Sequence, residues 1–529
     1  MKKILLSIVA VFFGLALNAQ VSVWDGTAEI WTHGSGTQED PYLIESAQNL
    51  AYIAAKTNES IYNGDGFRMM YVDTCFLLTV NIDLGADAGM EWEPIAANGA
   101  NWWKGQFSGH FDGGGHSFTN LTISNDGDFF GIFGFMNGGS LKNMVVEGND
   151  INISHIYTYL CGPVGLLLGY GMDVTIENCV NKANVNWETI NIDTGHCNLG
   201  GLFGQLDNST INNCHNYGNI SGPATHAFYN GPSCGGIAGC LNNCVVDDCS
   251  NYGSMNIIVV WDMATRYMYG GGIAGCMTGT ISNCSNNGDL FFQGSFPWDS
   301  DIRSVGGIIG YTSSESDNML VVENCYANCN MNIVDDTLQS WAGGIIGYIA
   351  NTISVTIRNC YYAGSEMLTE HTGGVVCRAN TNTSVDNCFY INTIDSQNDY
   401  GIPKSSSEMK TQDFVDLLNN GGEYYAMDIL YVNQGYPVFA RYYDVPENES
   451  QANISVYPNP AQDYVRIELS DNSACQSIEI YSLDGRLVET FQETSLQTTI
   501  DISGLNAGLY IMKIRMAEGK EYTERIIKE

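Results

Sequence analysis

The 529-residue sequence is short of charge, of basic residues and of long apolar runs. Only 15% of it is Asp, Glu, Lys or Arg, and 21 Lys and Arg stand against 58 Asp and Glu, a formal net charge of −37. Without a basic run the surface repels phosphate, which excludes nucleic acid and anionic membrane surfaces as partners. After residue 17 no stretch approaches the ~18–20 apolar residues of a spanning helix, so no integral membrane segment is expected once the N-terminus is removed. The 59 Gly have no three-residue period, which excludes a collagen, and 44% hydrophobic with 11% aromatic residues excludes a disordered polyanion. There is no C-x-x-C pair, and the His residues at 33, 110, 116, 155, 196, 215, 226 and 371 share no ligand spacing, so no metal site or cofactor is expected. Weak calcium binding is conceivable at Asn125-Asp126-Gly127-Asp128, Asp247-Asp248 and Asp335-Asp336, although such clusters are more often turns. No H-E-x-x-H, phosphate loop or nucleophile elbow is read, which takes the standard parts from zincin, nucleotide and serine-hydrolase chemistry.

What is present begins with an export signal. Lys2 and Lys3 precede an apolar run from Ile4 to Leu17 that ends in Asn18-Ala19-Gln20, so residues 1–20 read as a signal peptide cleaved at Ala19 and Gln20. The acidity then concentrates in residues 21–453, because residues 454–529 hold 12 acids against 7 bases.

The middle of the chain repeats. Gly200-Gly201-Leu202-Phe203-Gly204 recurs as Gly235 to Gly239, Gly271 to Gly275, Gly306 to Gly310 and Gly343 to Gly347, with weaker copies at Gly131 to Gly134, Gly165 to Gly169 and Gly373 to Val376. The last Gly falls at 134, 169, 204, 239, 275, 310 and 347, a period of 35 to 37. About ten residues later an aliphatic-x-Asn/Asp-Cys element ends at Cys179, Cys214, Cys249, Cys284, Cys325, Cys360 and Cys388. Each repeat therefore reads as two short strands and a long return. A period of ~20–50 residues without helical periodicity points to an all-β solenoid whose coils stack about 4.8 Å apart. Gly fits where neighbouring coils turn tightly, and Cys and Asn where small side chains ladder up the interior. Seventeen Cys in an exported chain would suggest disulfides, but one shared repeat position suits a column of buried free thiols. A disulfide between Cys240 and Cys244, or between coils, stays open at this point.

These units resemble the GLUG repeat of secreted bacterial surface proteins over residues 131–395. The resemblance implies a right-handed parallel β-helix and members of adhesin-like or protease-associated character. Residues 21–130 are expected to form an N-terminal cap and first coils, with a helix from Ser46 to Ala55 N-capped by Ser46, and strands around 76–82 and 107–123. Residues 396–443, with a helix from Thr411 to Leu418, are expected to cap the other end, and 444–453 to be a linker.

Residues 454–529 change character. Val456-Tyr457-Pro458-Asn459-Pro460, Asp484-Gly485-Arg486 and Gly508-Leu509-Tyr510-Ile511-Met512-Lys513 lie among short alternating strands, the pattern of a small Ig-like β-sandwich. The segment resembles the type IX secretion C-terminal sorting domain, with Pro458, Asn459, Pro460, Asp484, Gly485, Gly508, Tyr510 and Lys513 at the matching places. That resemblance implies a Bacteroidota-type bacterium, the type IX machinery as partner, and a mature protein attached to the cell surface or released.

A ligand site would sit on the returns. Trp261-Asp262-x-x-x-Arg266 and Trp298-Asp299-x-x-x-Arg303 lie 37 residues apart, one coil apart if the period is one coil. With Trp187, Tyr229 and Trp341 they form a candidate aromatic flank for sugar stacking. The reading is an adhesin-like protein binding glycan or protein ligands. The alternative is a polysaccharide lyase or glycosidase with Asp262, Asp299 or Asp301 as acid and base and Arg266 or Arg303 against a uronate. A structural spacer, with the Trp rings as edge cover and the Asp/Arg pairs as solvated bridges, is the plainest reading of the same residues.

Overall fold

The computed structural model describes residues 21–529 except 60–67, 98–104, 126–128, 149, 159–161, 193–197, 226–231, 261–266, 295–301, 313–318, 336–339, 430, 443–453, 458–460, 470–474, 483–486, 495–496, 506–507, 517–520 and 529. The chain divides into two compact units, Met1–Lys404 and Ser405–Glu529.

The first unit is a parallel β-solenoid. One coil shows how the repeat folds. Asn198–Gly200 lies in a sheet we call D; Phe203–Asp207 and Thr210–Asn212 lie in sheet B, His215–Asn216 in sheet A and Ile220–Thr225 in sheet C. Ser233–Gly235 then begins the next coil beside Asn198–Gly200. Each of these strands pairs in parallel with its copy in the next coil, as in Phe203↔Ala238, Ile211↔Val246, Asn216↔Asn251 and Ile220↔Met255. The return read as irregular from the sequence thus holds strands of sheets A, C and D. Those of sheets A and D are short and carry no alternation of their own, so only pairing with their neighbours makes them visible.

Repetition in sequence becomes columns in space. Ile176, Ile211, Val246, Ile281, Val322 and Ile357 stack with no exposed surface. Each such side chain contributes roughly 1.5–3 kcal/mol by leaving water. The Cys of the second element forms a buried column of free thiols from Cys179 to Cys388. Burial pushes the Cys214, Cys249, Cys284 and Cys360 thiols above their ordinary range.

The Asn before each Cys corrects the expectation of an interior Asn ladder. Asn178, Asn213, Asn283, Asn324, Asn359 and Asn387 all have φ between 48° and 56°. They turn the chain in the left-handed region, which Asn tolerates better than other non-Gly residues. Their amides ladder at this corner instead, Asn213 Nδ2 donating to Asn178 Oδ1 at 2.8 Å. The interior ladder is a different set: buried Asn181, Asn216, Asn251 and Asn286 donate in turn at 2.7, 2.8 and 2.7 Å.

The repeated Gly serve close approach. A Cβ at Gly271 would stand 1.9 Å from the Ala274 oxygen, and one at Gly272 would stand 2.2 Å from the Gly307 oxygen of the next coil. Neither residue has positive φ. The glycines are therefore needed for space between backbones, a closer constraint than the tight turn the sequence suggested.

At the N-terminal end, α1 (Ala47–Asn58) is N-capped by Ser46, whose hydroxyl accepts from Asn49 N. It buries Ala47, Leu50, Ile53 and Ala54, and its Asn58 accepts from Ala97 N and donates to the Pro94 oxygen. The first coils are filled with aromatic rings in series, with Phe76–Phe107 at 6.0 Å and Phe107–Phe133 at 5.2 Å. Ile402–Lys404 pairs with Phe389–Ile391 as the last strand of sheet A, so residues 396–404 belong to the solenoid unit.

In the second unit, residues 405–442 hold α2 (Ser406–Met409) and α3 (Gln412–Asn419), the latter N-capped by Thr411, and an antiparallel pair of Tyr425–Ala426 with Val438–Phe439. Further on, Ile454–Tyr457, Tyr464–Leu469 and Gln497–Asp501 form one antiparallel sheet; Cys475–Ser482, Leu487–Thr494, Gly508–Met516 and Glu521–Lys528 form another. Alternating Val465, Ile467, Ile478, Ile480, Met512 and Ile514 fill the space between them, as a sandwich requires.

Candidate binding surfaces

The connections from sheet C to sheet D carry most of the residues the sequence singles out. Val259 pairs with Gly294 at the end of sheet C, and Tyr267 with Ile302 at the start of sheet D. The segments 261–266 and 295–301 are therefore the same connection in consecutive coils. Trp261, Asp262, Arg266, Trp298, Asp299 and Asp301, and Tyr229 in 226–231, lie outside the described residues.

Three residues of the expected flank are elsewhere. Trp187 sits within the sheet C strand Val185–Ile192 and is 2% exposed, packed where a Cβ on Gly222 would stand 2.8 Å from its Cβ. Its parity on the strand points inward, so it is a core ring. Arg303 has no exposed surface and lies in sheet D between Met268 and Ser340. Trp341 is 7% exposed and also lies in sheet D.

Trp341 belongs to an aromatic column that no linear motif reports. At the corner of sheets D and B, Tyr269 stacks on Tyr311 at 4.1 Å and 10°, and Tyr311 leads to Tyr348 at 5.7 Å. Trp341 meets Tyr348 edge-on at 5.8 Å and His371 at 5.6 Å, while the Arg378 guanidinium lies 4.9 Å from the Tyr348 ring. Burial raises the Tyr269 phenol above its ordinary range. Rings stacked coil upon coil cover one another's faces, so the column offers edges and cannot serve as a row of sugar platforms. It ties neighbouring coils together at this corner by aromatic contacts worth about 0.5–1.5 kcal/mol each beyond area burial. Only equivalent positions one coil apart could have revealed it in the sequence.

Geometry bears on one chemical reading. Gly231-Pro232-Ser233-Cys234-Gly235 fits the letters G-x-S-x-G, a match absent from the sequence reading above, but Ser233 is 5% exposed and lies in a sheet D strand followed by another strand. A nucleophile elbow needs a strand-to-helix turn with an exposed hydroxyl. Asp247 Oδ1 accepts from Ser282 Oγ at 2.7 Å and Asn283 Nδ2 at 2.8 Å, and Asp248 turns a corner with φ 56°. Asp126 and Asp128 lie outside the described residues, as does Asp336, and among the described residues no three His, Cys, Asp or Glu converge as a metal would need.

A second concave surface lies on sheet B over the first coils, a groove of about 710 Å³ lined by Leu77, His110 and Ser140 and, to one side, by Gln38, Pro41 and Asp73. Its residues come from five segments and form no motif.

In the C-terminal sandwich, Pro458, Asn459, Pro460, Asp484 and Gly485 fall outside the described residues, as do Ala19 and Gln20 at the N-terminus. Gly508 opens the strand Gly508–Met516, on which Tyr510 is buried and Lys513 half-buried. Residues 455–529 match the secretion system C-terminal sorting domain. The sandwich is a type IX sorting domain. The chain carrying it is secreted, either attached to the cell surface or extracellular, and engages the type IX secretion machinery. Among the described residues no helix is long and apolar enough to cross a membrane.

Other similarities cover parts of chains. A 134-residue stretch is 34% identical to a protein of Evansella cellulosilytica named "Putative Gly-rich membrane protein", spanning 25% of this chain and 14% of that one. A 190-residue stretch is 32% identical to Halomucin of Haloquadratum walsbyi, spanning 34% of this chain and 2% of that one. The chain thus spans a small part of the curated relatives it matches. Among solved structures, one described as "a putative immunoglobulin A1 protease" from Bacteroides ovatus superposes with TM-score 0.39 at 19% identity, over 77% of this chain and 95% of that one. Another, described as IgA1 Protease, superposes with TM-score 0.36 at 11% identity, over 90% and 33%. Superpositions this loose carry no argument about activity.

Proposed function

We propose that this chain is an adhesin-like, GLUG-repeat surface protein of a Bacteroidota-type cell, led out by residues 1–20 as signal peptide, that binds glycan or protein ligands through its C-to-D connections. The observation that carries the reading is register. Val259↔Gly294 and Tyr267↔Ile302 set the Trp261 and Trp298 segments between the same two sheets in neighbouring coils, although the pairing is offset by 35 residues and the Trp by 37. Trp261-Asp262 and Trp298-Asp299 on neighbouring connections are the kind of array an extended ligand meets with several weak contacts at once, and Arg303, buried in sheet D, takes no part in it.

The test is a screen of the purified full chain on arrays of glycans and matrix proteins, with and without calcium, beside a Trp261→Ala/Trp298→Ala double variant, with the bound material analysed for cleavage. Saturable binding that the double variant loses, without product, is the expected result. New reducing ends, unsaturated sugars or cut peptides would replace this reading with an enzymatic one.

A further inference from the structure

We propose that the groove over the first coils binds an extended basic peptide. The site is separate from the C-to-D connections. Two rows of side chains run along it in register: Cys75, His110, Ser140 and Thr175 in one, and Leu77, Asp112, Lys142 and Glu177 in the other. Three steps of ~4.8 Å make the rows ~14 Å long.

Charge is arranged along that length. Asp112 accepts from Gly114 N at 2.9 Å and Asn143 Nδ2 at 2.8 Å, and pairs with Lys142 at 3.3 Å, so the middle is neutralised internally. Glu177 stands exposed at one end; Asp73 and Glu39 stand exposed at the other. Neither Asp73 nor Glu177 has an ion-pair partner among the described residues. The Cys75 thiol responds to that acidic end: burial raises its pKa first, the Lys142 charge opposes, and Glu39 and Asp73 add to the rise. The thiol is therefore no activated nucleophile. Between the ends the lining is neutral and hydrogen-bonding, with His110 Nδ1 2.9 Å from Ser140 Oγ. Leu77, half-buried, supplies apolar floor.

A ligand with cations at both ends and neutral amides between them complements this surface. Evenly charged polyamines do not, because a central ammonium would face Lys142. Basic side chains at i and i+4 of an extended peptide stand ~13 Å apart, close to the length of the rows. The net charge of −37 favours the approach of such a ligand. The wall exists only here, because Gln38, Pro41 and Asp73 belong to the segment that precedes the regular coils. Asp73 is held at the rim by a turn closed by Thr74 N donating to the Tyr71 oxygen at 2.9 Å, and the Tyr71 ring is fixed 5.3 Å from Phe76.

The test is fluorescence anisotropy of labelled Arg-Ala-Ala-Ala-Arg titrated with the full chain at about 0.15 M salt, where long-range attraction is screened. The expected result is saturable binding weakened about tenfold or more by Asp73→Asn/Glu177→Gln and by Thr175→Trp, which fills the groove from an exposed position. The charge-matched pair Glu366→Gln/Glu370→Gln, exposed elsewhere on the solenoid, should change affinity less than about twofold. Equal weakening by both carboxylate pairs would overturn the proposal in favour of diffuse attraction. Equal binding of Glu-Ala-Ala-Ala-Glu, or displacement by spermine at lower concentration than by unlabelled peptide, would overturn the peptide assignment. Circular dichroism of each variant confirms that the fold is retained.

Discussion

The solenoid and the C-terminal sandwich are both built of short strands, yet they secure their strands by opposite means. In the solenoid every strand lies parallel to a copy of itself, so one residue type fills one column and backbone meets backbone through Gly. In the sandwich antiparallel strands alternate, and branched aliphatic residues from two sheets fill a closed core. A column multiplies the consequence of each residue, because a wrong side chain disturbs the coil on either side. A closed core distributes the same change over many neighbours.

The largest expected effect concerns what each region is for. Deleting residues 455–529 should reduce export to background while the solenoid sequence stays intact, which cell fractionation and immunoblotting would measure. Export of the truncated chain at the original level would break the division of labour.

Next comes the comparison of packing. Gly271→Val should destabilise the solenoid by about 4 kcal/mol or more, since even a Cβ there would stand 1.9 Å from a backbone oxygen that cannot retreat. Ile480→Val in the sandwich should cost only about 1 kcal/mol. Urea unfolding followed by signals from each unit separates the two, and similar losses would contradict the account. Asn251→Ala should cost about 2–3 kcal/mol, because it leaves the Asn216 amide and the Asn286 carbonyl buried without the partner each now has at 2.8 and 2.7 Å.

The buried thiols add a dependence on pH. Burial raises Cys244 and Cys377 from 9.0 to about 12. Unfolding lets these thiols ionise at their ordinary pKa, so the folded state is favoured while they stay protonated. Their contribution is complete below about pH 9 and is lost as pH rises towards 12. Thermal melting across that window should show the decline, and Cys244→Ala/Cys377→Ala should flatten it. The smallest effect is expected at the surface: Arg358→Ala beside Glu323 and Arg515→Ala beside Glu479 should each change stability by less than about 1 kcal/mol.

The same contrast explains what was legible. The Gly and Cys elements, the Ser46 cap and the sandwich alternation are local patterns and could be read directly. Most strands of sheets A and D could not, because two to five residues such as His215–Asn216 have no period of their own and exist through pairing 35 residues away. The sequence-read Trp261 and Trp298 lie outside the described residues. Other site residues were misread where side-chain parity decides: Trp187 and Arg303 are one strand residue from facing outward and are buried instead. The Tyr269–Tyr311–Tyr348 column and the first-coil groove join residues from separate coils, so no single stretch of sequence contains them.

The most direct test of the account is a double-mutant cycle on ligand binding with Trp261→Ala, Trp298→Ala and the pair. If consecutive C-to-D connections form one surface, the two losses should be coupled by at least about 0.5 kcal/mol. Losses that add within error, or single variants that bind as the unaltered chain does, would contradict it.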